Sequence, residues 1–325
     1  MATHTRLIAL LCLALLAAGC GEEEESPAQA AEGEQIVFTV NTSGRGEIWV
    51  MDETGGARRR LTKETSGDTS PAWSPRRDRI AFIGMGGARD GDVSRQELYV
   101  MDADGTNVKR LTTNEDADAS PSWSPDGRQL VVARAKRIGE QDVESFLYVV
   151  NADGSGERAL RHEPRRKTPV FLTAPAWSPD GKRIAFTRVT FDEEPGAAVF
   201  VMDADGKRPR KLVDEALEPD WSPDGKRIAL ASYRDRVGRT CFQECNPNSE
   251  LYVVGADGGH LRRLTTSVAN EASPTWSPDG KRIAFVSDRS NREDHEFELY
   301  VVDASGGDPR RLTHNDAWDL DPDWN

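Results

Sequence analysis

Cysteine is scarce in this chain, with 4 in 325 residues, too few for a disulfide scaffold. Histidine is scarce too: His4, His162, His260, His295 and His314 are scattered, which gives little support to an imidazole-rich metal centre. Positive charge is in deficit. The 42 Lys plus Arg face 55 Asp plus Glu, a net charge of −13, and a nucleic-acid binder needs a basic face instead. No apolar run reaches the roughly 20 residues of a membrane-spanning helix. No 3.6-residue periodicity runs through the chain after its first twenty residues, which argues against helical folds. No Gly-x-Ser-x-Gly elbow marks a hydrolase. Hydrophobic content is only 37%, yet 8 Trp are spread along the chain, so it is not a disordered acidic polymer.

The first twenty residues read as an address. Arg6 is the only charged residue before Cys20, and Leu7 to Ala18 is a short apolar stretch. Small residues follow it, as at a signal-peptide cleavage site. Ala17-Ala18-Gly19-Cys20 resembles the bacterial lipobox, which implies cleavage before Cys20 and lipidation of that residue. The expected division is a signal peptide over 1–19, a lipidated Cys20 with an acidic tether over 20–33, and one domain over 34–325. Glu22 to Glu25 are four consecutive acids in a segment with too little apolar surface to order itself.

The rest is six copies of one unit. Pro-x-Trp-Ser-Pro-Asp-Gly-Lys-Arg-Ile-Ala-Phe recurs with its Trp at 73, 123, 177, 221, 276 and 324. Leu-Tyr-Val-Met-Asp-Ala-Asp-Gly follows, then Arg-Arg-Leu-Thr. Asp-Gly predicts a tight turn, because Gly accepts positive φ and Asp bonds nearby backbone. Each unit therefore predicts four short strands. Pro beside the Trp confines strand one to an edge, since Pro donates no ladder bond. The basic pairs of strand four suit the other edge. Four-stranded units repeating every 40 to 50 residues predict an all-β, six-bladed β-propeller. The chain begins its order on a strand two (Gln35 to Phe38) and stops on a strand one (Asp321 to Trp324), so the C-terminal strand is expected to complete the N-terminal blade.

These repeats resemble the TolB-type, WD-like propeller family. Departures are local: Pro75-Arg76-Arg77-Asp78 replaces the Pro-Asp-Gly turn in one blade. TolB proper carries an α/β domain before its propeller, where this sequence shows only the tether. The resemblance implies a cell-envelope binding role in integrity or transport, with a protein or peptide partner. Metal-dependent propeller lactonases and lyases give the enzyme alternative, with a cation in the channel.

Candidate site residues come from matched positions. Five residues before the repeat Trp stand Asp68, Asp118, Leu172, Ala216, Glu271 and Asp319. Three before it stand Ser70, Ser120, Ala174, Glu218, Ser273 and Asp321. Strand one should be innermost, so Asp68, Asp118, Glu218, Glu271, Asp319 and Asp321 are expected at the channel mouth. Clustered carboxylates there would attract a cationic peptide or hold Ca²⁺; chance acidity in an acidic protein explains them equally. The loops between strands two and three are long and dissimilar, as at Ala231 to Ser249, and should share one face with those leading into strand one. Cys241 and Cys245 lie in that loop and suit a local disulfide. The repeated Trp are expected between blades. The whole reads as a monomeric, exported, lipid-anchored binding propeller with no required cofactor.

Overall fold

The computed structural model describes residues 33–42, 45–62, 67–85, 96–114, 116–137, 143–163, 170–191, 196–235, 248–291 and 296–325. Cys20, Cys241, Cys245 and the tether as far as residue 32 lie outside the described residues.

Six four-stranded antiparallel sheets make the six blades. Blade one joins β1 (Gln35–Thr42), β2 (Arg45–Asp52) and β3 (Arg59–Arg60) to a strand from the far end of the chain. Blade two is β4 (Thr69–Trp73), β5 (Arg79–Met85), β6 (Gln96–Asp102) and β7 (Lys109–Arg110). Blade three is β8 (Ala117–Trp123), β9 (Gln129–Arg137), β10 (Val143–Asn151) and β11 (Arg158–His162). Blade four is β12 (Val170–Trp177), β13 (Arg183–Thr190), β14 (Gly196–Asp203) and β15 (Arg210–Asp214). Blade five is β16 (Ala216–Trp221), β17 (Arg227–Ser232), β18 (Glu250–Gly255) and β19 (Arg262–Arg263). Blade six is β20 (Glu271–Trp276), β21 (Arg282–Asn291), β22 (Glu296–Asp303) and β23 (Arg310–Arg311). The last strand, β24 (Trp318–Trp324), completes blade one by pairing with β1. Two bonds lock the join: Gln35 N–H donates to Asn325 Oδ1 at 2.8 Å, and Asn325 N–H donates to the Gln35 carbonyl at 3.0 Å. The expected fold and its closure are thus present.

The core is not one mass. Six apolar clusters each join residues of two neighbouring blades. The repeated Trp belongs to these junctions: Trp123 packs among Ala72, Ile83 and Leu98 of the preceding blade and donates Nε1–H to the Ala72 carbonyl at 3.0 Å. The Arg that opens strand two lies over the next blade's Trp in four cases, with Arg79, Arg183, Arg227 and Arg282 at 4.5 to 4.8 Å from the rings of Trp123, Trp221, Trp276 and Trp324. Trp73 and Trp177 follow blades whose strand two opens with Gln35 and Gln129, and no such stack forms among the described residues.

The Ser-Pro-Asp-Gly turns close on side chains as well as backbone. In blade three Gly127 N–H donates to the Ser124 carbonyl, and Asp126 Oδ1 accepts from Ser124 Oγ and from Arg128 N–H. Gly127 has φ 69°; in the departing blade two turn Arg77 takes that left-handed place at φ 61°.

Antiparallel alternation gives the ring two faces. The turn face carries the one–two and three–four turns. The loop face carries the two–three loops and the passages from strand four to the next strand one. Each strand one packs on the next around the ring, from β24 to β4 and on to β20.

Candidate functional site: the central channel

Every innermost strand carries a bulge the sequence does not announce. Pairing between strand one and strand two shifts register just before each repeat Trp. The residue three before the Trp has positive φ in all six blades: Ser70, Ser120, Ala174, Glu218, Ser273 and Asp321, at 46° to 54°. A buried Pro follows each of them. Pro tolerates a bulge because the ladder bond is already broken there. The bulge frees a backbone N–H, which must find another acceptor.

Carboxylates supply that acceptor at two of the six junctions. Glu218 Oε2 accepts from Ser273 N–H at 2.6 Å, and Asp220 Oδ2 from Trp276 N–H at 2.8 Å. Asp321 Oδ2 accepts from Ser70 N–H at 3.3 Å, and Asp323 Oδ2 from Trp73 N–H at 2.6 Å. Blade five is thereby stitched to six, and one to two. Ser122 Oγ makes the weaker equivalent from blade three to four, accepting from Trp177 N–H at 3.1 Å. Strand one enters from the loop face, so Glu218 and Asp321 lie nearer that mouth and Asp220 and Asp323 lie deeper.

All four carboxylates are partly buried, and among the described residues none pairs with a cation. Burial therefore dominates their titration. It raises Glu218 and Asp321 above the ordinary carboxylate range, and the Asp321 charge raises Glu218 further. Asp220 is pushed up to about 6 by burial. Asp323 is pushed up to about 7, by burial first and then by the Asp220 charge. Blades one and five are separated by blade six, so these couplings act across the channel. The opposite arc carries Ala72, Ser120, Ser122, Ala174 and Ala176 at the same positions.

The other sequence-selected carboxylates sit elsewhere. Asp68, Asp118, Glu271 and Asp319 are 0–6% exposed, and Asp118, Glu271 and Asp319 belong to clasps between blades. In each clasp a strand-four Thr hydroxyl accepts a strand-three N–H and faces the next blade's acid. Thr112 Oγ1 accepts from Leu98 N–H at 2.9 Å and donates to Asp118 Oδ2 at 2.8 Å. Thr265 repeats this between Leu251 N–H and Glu271. Thr313 takes Leu299 N–H and bonds Asp319 and Glu298. Cations complete the set. Arg134 binds Asp118 at 2.5 and 3.1 Å while also reaching Glu157, and Arg289 binds Glu271. Arg58 stands 4.0 Å from Asp319, which burial pushes up to about 6. The Thr precedes the acid by six residues at 62/68, 112/118, 265/271 and 313/319; where Arg161 or Val213 replaces Thr, Leu172 and Ala216 replace the acid.

Sequence reasoning therefore selected Glu218 and Asp321 and missed Asp220 and Asp323. Their signal was available: Pro219-Asp220-Trp221 and Pro322-Asp323-Trp324 place an acid where other blades have Ala, Ser or Thr. Among the described residues no three His, Cys, Asp or Glu side chains are placed to hold a metal ion, so no ligand set for the expected channel Ca²⁺ is assembled by them.

A family model described as the TolB beta propeller domain matches residues 20–145 and 240–325. The chain belongs to the TolB β-propeller domain family. It is 34% identical over 146 residues to the Tol-Pal system protein TolB of Bordetella pertussis, a match covering 44% of this chain and 30% of that protein. Among solved structures, TolB from Acinetobacter baumannii superposes with a TM-score of 0.68 at 19% identity, over 89% of this chain and 66% of that one. An oligogalacturonate lyase in complex with manganese shares the fold at TM-score 0.56 and 17% identity, over 87% of this chain and 74% of that one. The chain thus spans under a third of the curated TolB relative's length.

Proposed function

We propose that this TolB-family propeller is a non-catalytic binding protein of the cell envelope, anchored through lipid on Cys20. It grips a cationic segment of a protein or peptide partner at the loop-face mouth of its channel. The relatives named Tol-Pal system protein support the envelope setting. The observation that carries the binding mode is the uncompensated acidic arc of Glu218, Asp220, Asp321 and Asp323. Four partly buried carboxylates that pair with no cation among the described residues focus negative potential on whatever enters the channel. A Lys- or Arg-bearing segment would neutralise them and draw their titration back down. The variable loops around the mouth would then choose among cationic partners.

The test uses a Lys-rich peptide and isothermal titration at low and physiological salt. Combined replacement Glu218→Gln, Asp220→Asn, Asp321→Asn and Asp323→Asn keeps an oxygen acceptor for each N–H while removing charge. Affinity should fall at least tenfold, and the wild-type affinity should weaken with salt. Equal binding by both proteins rejects the channel as the cationic site. Mass spectrometry of the membrane fraction reads acylation of Cys20 directly.

A further inference from the structure

On the turn face a groove lies between blades one and two, and another, of different charge, lies between blades four and five. The wall of the latter is made by the Arg residues that open strands two and four, and by the turns of the next blade. Between blades four and five it is a cavity of about 730 Å³ lined by Arg183, Arg210, Lys226, Arg227, Arg262 and His260, with Asp257 as its single carboxylate. The counterpart between blades one and two, about 570 Å³, has Arg59 and Arg77 against Asp78, Asp102 and Asp104. Arg227 and Arg262 turn their guanidinium groups to blade six, so the first groove keeps Arg183, Arg210 and Lys226 against one acid; the other holds two cations against three acids.

Three sequence changes produce the contrast, one being Lys226 where blade two has Asp78. Arg183 stands where blade one has Gln35. Gly255 ends strand three where the other blades have Asp52, Asp102, Asn151, Asp203 and Asp303. Loss of that side chain removes an acid and lets the turn close in: a Cβ at Gly255 would meet Asp257 Oδ1 at 2.6 Å and the Gly259 carbonyl at 3.0 Å.

The cations are held in place without being neutralised. Arg183 and Arg210 both donate to the Ala256 carbonyl, Arg227 to the Gly280 carbonyl, and Arg262 to the carbonyls of Ala304 and Ser305. Carbonyl acceptors fix a guanidinium but leave its charge. Among the described residues none of these cationic side chains forms an ion pair with a carboxylate. The nearby Asp224 spends its carboxylate on Ser222 Oγ and Lys226 N–H. Such a concentration of fixed positive charge, in a protein of net charge −13, marks an anion site.

We propose that the groove between blades four and five binds a phosphate group. A phosphate matches two Arg forks and a Lys at once, and its charge, −1 as a diester and nearly −2 as a monoester, suits these three cations facing a single carboxylate. The chain enters the propeller on this same face, because Gly33 and Gln35 line the groove between blades one and two. The phosphate is therefore that of a lipid headgroup or of a soluble ligand, and the experiment separates the two.

Full-length chain carrying Cys20→Ser, which removes the lipid attachment, is titrated with inorganic phosphate and floated with phosphatidylcholine vesicles with or without phosphatidylglycerol. Gly255→Asp restores the acid of the other blades and should weaken phosphate binding at least tenfold. Lys226→Ala, whose hydrogen bonds in the fold are backbone ones, should weaken it severalfold with unchanged melting temperature. Flotation that requires phosphatidylglycerol and is lost in both variants assigns the site to lipid. Phosphate binding without flotation assigns it to a soluble phosphate. Absence of both in the parent protein, or binding indifferent to Lys226→Ala and Gly255→Asp, overturns the proposal.

Discussion

Two sets of strand-one carboxylates stand a few residues apart and behave differently. The clasp acids, such as Asp118, are buried with a Thr hydroxyl and an Arg, and recur with the repeat. The channel acids Glu218, Asp220, Asp321 and Asp323 accept backbone N–H groups, pair with no cation among the described residues, and break the repeat. A position filled the same way in most blades serves the junction every blade needs. A position filled with charge in only two blades serves something the ring as a whole does. The contrast separates architecture from binding within one strand.

The largest expected effect comes from breaking a clasp. Asp118→Ala leaves Arg134, only 3% exposed, with half its ion-pair partners. The loss should be about 3–5 kcal/mol, read as a large drop in chemical-denaturation midpoint. A loss below about 1 kcal/mol would erase the distinction between the two sets.

The channel acids should respond with the opposite sign. Asp220 and Asp323 hold protons in the folded chain up to about 6 and about 7, whereas an unfolded Asp releases its proton near 3.9. Between those values the folded state binds more protons, so stability falls as pH rises through about 4 to 7. Asp220→Asn with Asp323→Asn removes that loss. The double variant should be more stable than wild type at pH 8, by on the order of 1–3 kcal/mol, with the gap shrinking towards pH 4.5. A gap of constant size across this range would show that the carboxylates titrate normally.

The smallest effect belongs to the hydroxyl relay. Thr112→Val keeps shape but leaves Leu98 N–H and Asp118 Oδ2 short of a partner, at a cost of roughly 1–2 kcal/mol. The same replacement at Val213's position is already natural, since Ala216 follows it in place of an acid. Tandem Thr112→Val with Asp118→Leu should recover little while Arg134 stays buried, which a thermal melt resolves.

Much of the fold was legible because repetition multiplies weak signals. One Trp-Ser-Pro-Asp-Gly says little; six with matched turns and complementary ends specify a closed ring. The site was less legible. Position counting found Glu218 and Asp321, but it grouped them with Asp118 and Glu271, because burial of a side chain depends on which blade packs over it. The left-handed bulge was invisible for another reason: Ser, Ala, Glu and Asp occupy it without any Gly to mark it. The Thr–acid spacing of six residues was present in the sequence, and its meaning emerged only once a hydroxyl was seen to bridge two blades.

The seam between β1 and β24 joins residues 290 positions apart. A chain made or threaded from its N-terminus must therefore hold its first strand without its inner neighbour until the last strand arrives. Five blades can form in sequence as each completes, yet the first remains an open-edged three-strand sheet throughout. That exposed edge sets a time window in which the growing protein is vulnerable to wrong pairing, and the window closes only with the final residues.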